Sequence, residues 1–209
     1  MRQIRRILTL FWSVKALRKD KDGRVHFKIV FWGPSLSGKT TSLRWIYSNV
    51  SGLSKGGFTS IEDPTGRTLY FDYTPLSASG DVIFDVYTVA GQKRHRHQRK
   101  IILQGVDGII FVADSDPSQL DANEESMEEL KELLKDRLGT EIPLVIMINK
   151  RDLSNAADKE EILEKLHIAA MDVPIYETIA TKGIGIKRAF QAIAREVLLR
   201  KLYNLKTMT

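Results

Sequence analysis

Cysteine is absent from the chain, which excludes disulfides, thiol catalysis, cysteine zinc sites, prenylation and palmitoylation. Residue 2 is Arg, so N-myristoylation is excluded as well. No apolar run approaches the roughly 18 residues of a membrane span, and neither repeats nor low-complexity tracts occur. Acidic charge is scarce in one place: residues 1–24 hold eight Lys/Arg against Asp20 and Asp22, which accounts for the whole net charge of +6. The rest of the chain is neutral, so the basic balance describes a terminal arm and makes nucleic acid an unexpected partner. The arm's apolar segment is short and no small-residue cleavage site follows it, so it does not read as a signal peptide. Arg5-Arg6 reads as part of a basic face and not as a twin-arginine signal. The missing cysteine suits a reducing cytoplasm, and a cytoplasmic location is expected.

What is present is organised around residues 33–41, GPSLSGKTT, directly after the apolar run VHFKIVFW at 25–32. The stretch fits G-x-x-x-x-G-K-[ST], with Gly33, Gly38, Lys39 and Thr40 in the fixed places. The run before it is long and rich in β-branched and aromatic residues, as a buried parallel strand is. Residues 42–47 read as helix. Strand, glycine-rich turn and helix in that order form a phosphate-binding loop. Backbone N–H groups of Gly33, Pro34's neighbours Ser35, Leu36 and Ser37, and of Gly38, Lys39, Thr40 and Thr41 surround the phosphates. Lys39 reaches the terminal ones, and the Thr40 hydroxyl ligates Mg2+.

The chain divides into an extension, residues 1–23, and one domain, residues 24–209. In the extension Ile4, Ile7, Leu8, Phe11 and Trp12 fall on one helical face with Arg2, Arg5 and Arg6 opposite, the pattern of a basic amphipathic helix. Three occupants fit that face: an anionic membrane surface, the domain's own apolar surface, or a partner protein. In the domain, residues 48–66 are dense in Gly and Ser without helical or strand period and read as a long functional loop. Residues 68–76 and 82–89 alternate as two hairpin-linked strands, an antiparallel edge. Buried strands follow at 108–114 and 144–149, and a last strand at 175–178. Helices are expected at 120–138, 159–166 and 186–203. Strands alternating with helices predict a doubly wound α/β sheet that binds its ligand outside the strand C-termini.

Asn149, Lys150 and Asp152 stand at such a C-terminus. A carboxylate there accepts from N1–H and the exocyclic amine of guanine, a donor pair adenine lacks. Together with the phosphate loop, this N-K-x-D run resembles the guanine motif of the Ras-like small GTPases. Within that superfamily the chain is similar to the MglA group of bacterial and archaeal GTPases. The runs GPSLSGKTTSLRWIYS, GRTLYFDYTPL, VYTVAGQ, RKIILQGVDGIIFVADS and NKRDL carry that similarity. The resemblance implies a P-loop NTPase fold with a six-stranded, mostly parallel sheet and helices on both faces, plus the N-terminal amphipathic helix. It implies GTP and GDP as ligands, Mg2+ as cofactor, and GTP hydrolysis. Lys150 would stack on the base, and the Ala180 N–H would meet the guanine oxygen.

The same resemblance assigns Gln92, after Ala90 and Gly91, to orienting the attacking water. Thr68 becomes the switch threonine on Mg2+ and the γ-phosphate, with Thr65 and Thr59 as alternatives in a mobile loop. Arg67 becomes an arginine acting in cis on transition-state charge. Thr88 stands where small GTPases carry the Asp of D-x-x-G, so a nucleotide-loaded binding module with negligible hydrolysis is the second reading. Residues 93–100, KRHRHQRK, offer either a surface for an acidic partner, membrane or RNA, or a plain solvated face. The resemblance implies a Roadblock-type activating protein as partner. For the arm it implies peripheral contact with an anionic membrane, which would place the protein at the inner face of the cell membrane.

Overall fold

The computed structural model describes residues 17–50, 54–62, 68–79, 81–91 and 95–206. Along them run Arg18–Lys19 (β1), Val25–Trp32 (β2), Lys39–Asn49 (α1), Ser54–Lys55 (β3), Thr59–Glu62 (β4), Thr68–Ser79 (β5) and Val82–Val89 (β6). Arg96–Ile102 (α2), Gly108–Asp114 (β7), Leu120–Leu134 (α3), Leu144–Asn149 (β8), Lys159–Lys165 (α4), Ile175–Glu177 (β9) and Ile186–Lys206 (α5) follow. One sheet gathers all the strands in the order β3-β5-β6-β2-β7-β8-β9, with β1 paired to β2 and β4 to β5. The five strands from β6 to β9 are mutually parallel, and β5 closes the edge antiparallel to β6.

The uninterrupted apolar runs lie in the middle because both of their faces are covered. Every residue of β7 and β8 is buried. Their alternate residues face opposite layers: Val30, Trp32, Ile109, Phe111, Ile146 and Ile148 pack with Met127, Leu130 and Leu134 of α3. Ile29, Phe31, Ile110, Val112, Val145 and Met147 pack with Leu43 and Ile46 of α1 and with Phe190, Ile193 and Val197 of α5. Each fully buried large side chain contributes about 1.5 to 3 kcal/mol against the cost of ordering the chain.

Four sequence expectations change. Among the described residues the sheet has nine strands rather than six: the six expected ones are its body, and β1, β3 and β4 are short additions. The 48–66 loop is not wholly irregular, since β3 and β4 pair antiparallel with β5. An edge strand exposed on one face needs only backbone partners, so no apolar alternation announces it. The helix expected over 120–138 ends at Leu134, where Lys135 takes a positive φ of 51° and a 3-10 turn follows. Residues 17–23, assigned to the extension, belong to the sheet through β1, whose Arg18 and Lys19 pair with His26 and Val25.

The amphipathic helix expected on residues 4–12 lies outside the described residues. Among the described residues no helix is long and apolar enough to cross a membrane. One carboxylate joins three elements at the far end of the sheet. Asp107 accepts from Arg18 of β1 (2.7 Å), from the Lys28 backbone N–H (2.8 Å) and from Lys201 of α5 (3.0 Å).

Candidate nucleotide site

The parallel strands end on one edge, which brings the segments after β2, β6, β7, β8 and β9 together. The turn after β2 is closed by two glycines. Gly33 has a φ of 143° and Gly38 of 101°, and a Cβ on either would strike Val112 O or Asn149 Nδ2 at 2.3 and 2.1 Å. The fixed glycines of the motif are therefore required both by conformation and by contact. Pro34 and Ser37 are buried while Leu36 stands exposed with a φ of 62°. Thr41 is exposed on the first turn of α1.

Lys39 is only 6% exposed and turns back over the loop, donating to Gly33 O (3.0 Å) and Pro34 O (2.5 Å). Burial, reinforced by the nearby Arg99 charge, pushes its ammonium down to about 7. Carbonyl oxygens alone do not balance a buried cation, so an anion in the loop would restore its charge.

Thr40 does not stand alone. Its hydroxyl donates to Asp72 Oδ2 at 2.5 Å, and Thr88 Oγ1 donates to the same oxygen at 2.5 Å. Asp72 N–H returns a bond to Thr88 Oγ1 at 3.1 Å, because the two residues face each other across β5 and β6. Asp72 and Thr88 are both fully buried. Among the described residues no group of three or more His, Cys, Asp or Glu could hold a metal. One hydroxyl backed by one buried carboxylate nevertheless fits Mg2+, which takes few protein oxygens and completes its shell with phosphate and water.

Beyond β6, Gly91 presses on the phosphate loop: a Cβ there would lie 2.3 Å from Ser35 N. Gln92 and Arg67 lie outside the described residues, as do Thr65, Lys93 and Arg94. Thr68 opens β5, its backbone paired with Glu62, and Thr59 opens β4 opposite Tyr73. Two residues of the basic stretch pair with acidic groups of α3. Arg99, 4% exposed, binds Glu129 of α3 (2.6 Å) and Ala90 O (3.0 Å) and lies over Trp32. Arg96 binds Glu132 (2.5 Å).

The base side is held by Asn149, which is 2% exposed. Its Nδ2 donates to Ser37 O (2.7 Å), and its Oδ1 accepts from the Ala180 N–H (2.9 Å) and the Thr178 hydroxyl (3.1 Å). The Ala180 N–H, which the resemblance aims at guanine, is thus directed to Asn149 here. Lys150 has a φ of 65° and its ammonium meets the buried Asp114 at 2.5 Å. Asp152 lies open to solvent, 3.5 Å from Lys182 Nζ. The residue that sequence reasoning passed over is Asp72, whose one signal is its parity with Thr74 and Leu76, both buried, on an alternating strand.

Comparison with known proteins agrees with this geometry. The family model described as the ADP-ribosylation factor family matches residues 13–197. The mutual gliding-motility protein MglA of Myxococcus xanthus is 41% identical over 181 residues, covering 83% of this chain and 91% of that protein. ADP-ribosylation factor-like protein 3 of Caenorhabditis elegans is 32% identical over 151 residues, covering 72% and 74%. In fold, the chain is similar to the Arl6 small GTPase of Trypanosoma brucei, solved with a bound nucleotide analogue. That likeness has a TM-score of 0.66 at 21% identity and covers 84% of this chain and 99% of that one. The chain belongs to the ADP-ribosylation factor family of small GTPases, molecular switches that bind GTP and GDP with Mg2+ and hydrolyse GTP.

Proposed function

We propose that this GTPase is an MglA-type switch that carries its hydrolytic groups in cis, Gln92 to orient the attacking water and Arg67 to meet charge on the γ-phosphate. The observation that carries the reading is the Asn149 side chain, which binds the phosphate loop and the 178–180 segment at once. Base and phosphates are thereby gripped by one unit, as positioning catalysis demands. Gly91 adds support, since it closes directly on Ser35 of the phosphate loop.

The roles follow from the chemistry of in-line attack, in which positioning and charge stabilisation do most of the work. Lys39 gives up its carbonyl partners for the terminal phosphates. Thr40 and Thr68 would hold Mg2+, which would supply charge neutralisation at the phosphate oxygens. Asp152 reads guanine, with Lys150 along the base. The switch works with GTPase regulators and effectors, and a Roadblock-type activating protein is the regulator we assign. The basic helix of the extension is assigned reversible contact with an anionic membrane. Each Lys/Arg near such a surface contributes about 1 kcal/mol, which allows release.

Single-turnover hydrolysis tests the catalytic part. Gln92→Leu is expected to slow the reaction strongly at unchanged affinity for a fluorescent GDP analogue. Arg67→Ala is expected to cost about a thousandfold or more. A Gln92→Leu rate equal to wild type would remove that residue from the mechanism. Co-sedimentation with anionic liposomes, with and without residues 2–16, tests the arm: equal pelleting of both forms removes the membrane role.

A further inference from the structure

The turn that follows β9 is a closed unit. Ile179 and Ile184 face each other as an antiparallel pair and exchange both backbone bonds, at 3.1 and 3.2 Å. Inside that pair Lys182 N–H donates to Ile179 O (3.1 Å) and Gly183 N–H to Ala180 O (3.3 Å). A turn bonded in this way shifts as one body. It also touches both ends of the N-K-x-D run. Ala180 N–H donates to Asn149 Oδ1 at 2.9 Å, and Lys182 Nζ lies 3.5 Å from Asp152 Oδ2. The bond to Asn149 is buried whereas the ion pair is exposed, so the first is the stronger link.

On its other side the turn meets α1. Trp45 lies six residues past Lys39, about 9 Å along the helix axis, and its ring presses on Gly183. A Cβ on that glycine would stand 1.9 Å from Trp45 Cε2 and 2.1 Å from Nε1, and its φ is 72°. Contact and conformation both exclude a side chain there. The ring is held from behind, because Leu43 and Ile46 on the same helix are fully buried in the core against which Trp45 packs. A rigid side chain thus spans from the helix that opens at the phosphate loop to the turn that touches Asn149 and Asp152.

We propose that Trp45 is a positioning residue for base recognition: braced on α1, it sets the 179–184 turn so that Asn149 and Asp152 stay aligned for guanine. The inference rests on the reading of Asp152 as the carboxylate that binds the guanine edge. Inosine lacks the exocyclic amine, so the preference for GDP over IDP measures how well the second acceptor of Asp152 is placed. A shifted turn lowers that preference. General loosening of the fold lowers the affinity for both diphosphates alike.

The experiment is competition of unlabelled GDP and of IDP against a fluorescent GDP analogue on the full chain. Trp45→Leu is expected to lower GDP affinity about tenfold, the equivalent of one hydrogen bond, with IDP affinity changed far less. Trp45→Phe keeps a ring against Gly183 and is expected to retain most of the preference. Gly183→Ala attacks the same contact from the turn, away from the core, and is expected to reproduce the loss even where Trp45→Leu folds poorly. The two changes combined should cost no more than the larger one alone, since both break a single contact.

The proposal is overturned if the preference for GDP over IDP survives in Trp45→Leu or in Gly183→Ala, whatever their melting temperatures. It is equally overturned if the two losses add in the double variant, or if Trp45→Phe loses as much as Trp45→Leu. Wild type that binds GDP and IDP alike overturns the Asp152 reading beneath the inference, and wild type that binds neither overturns the switch reading itself.

Discussion

At the scale of single residues, Asp152 is the group on which base choice turns. It is open to solvent, and its carboxylate matches the two donors on the guanine edge. Asp152→Asn replaces one of those acceptors by a donor. The expected result is a loss of about ten- to a hundredfold in GDP affinity, the equivalent of a charge-assisted hydrogen bond, read by fluorescence titration. Asp152 and Asn149 were legible in the sequence because a run of four residues fixes their chemistry at a strand end. Lys39 and Thr40 were legible for the same reason. Asp72 was not, because its partners are Thr40 and Thr88, 32 and 16 residues away in the chain. Asp114 is a similar case: its partner is Lys150, and no local pattern carries that pairing. Catalytic chemistry shows in short motifs, whereas the carboxylates that hold such motifs in place are assembled by strand register.

Among the elements, α2 is tied to α3 by a buried ion pair. Arg99 is fully enclosed, donating to Glu129 and to the carbonyl of Ala90 just before Gly91. Glu129→Ala removes a carboxylate that pairs with a buried guanidinium, a loss of about 3 to 5 kcal/mol. Thermal melting should report that loss, and hydrogen exchange should rise over residues 96–102 before it rises in β7 or β8. Unchanged melting would mean that α2 is held by Ile102 and its neighbours alone. The central strands were legible because burial on both faces demands continuous apolar runs, as in GIIFVAD and LVIMIN. The strands β3 and β4 were not, since pairing by backbone alone leaves side-chain choice free. Phe58 between them was the one available sign, packed edge-on against Tyr47 at 5.4 Å.

For the molecule as a whole, topology sets the junction of β1, β2 and α5 apart from the nucleotide edge. Asp107 draws β1, β2 and α5 together at the opposite end of the sheet. Asp107→Ala strands the Lys28 N–H and releases Arg18 and Lys201. We expect about 1 to 3 kcal/mol of destabilisation, with faster exchange at residues 17–20 and unchanged GDP affinity. Weakened nucleotide binding would show that the two ends are coupled. The pairing of Asp72 with Thr88 across two neighbouring strands also has a consequence for redesign. An acid placed at position 88 while Asp72 stays would set two carboxylates directly opposite each other, which is destabilising, so the two positions can be varied only as a pair.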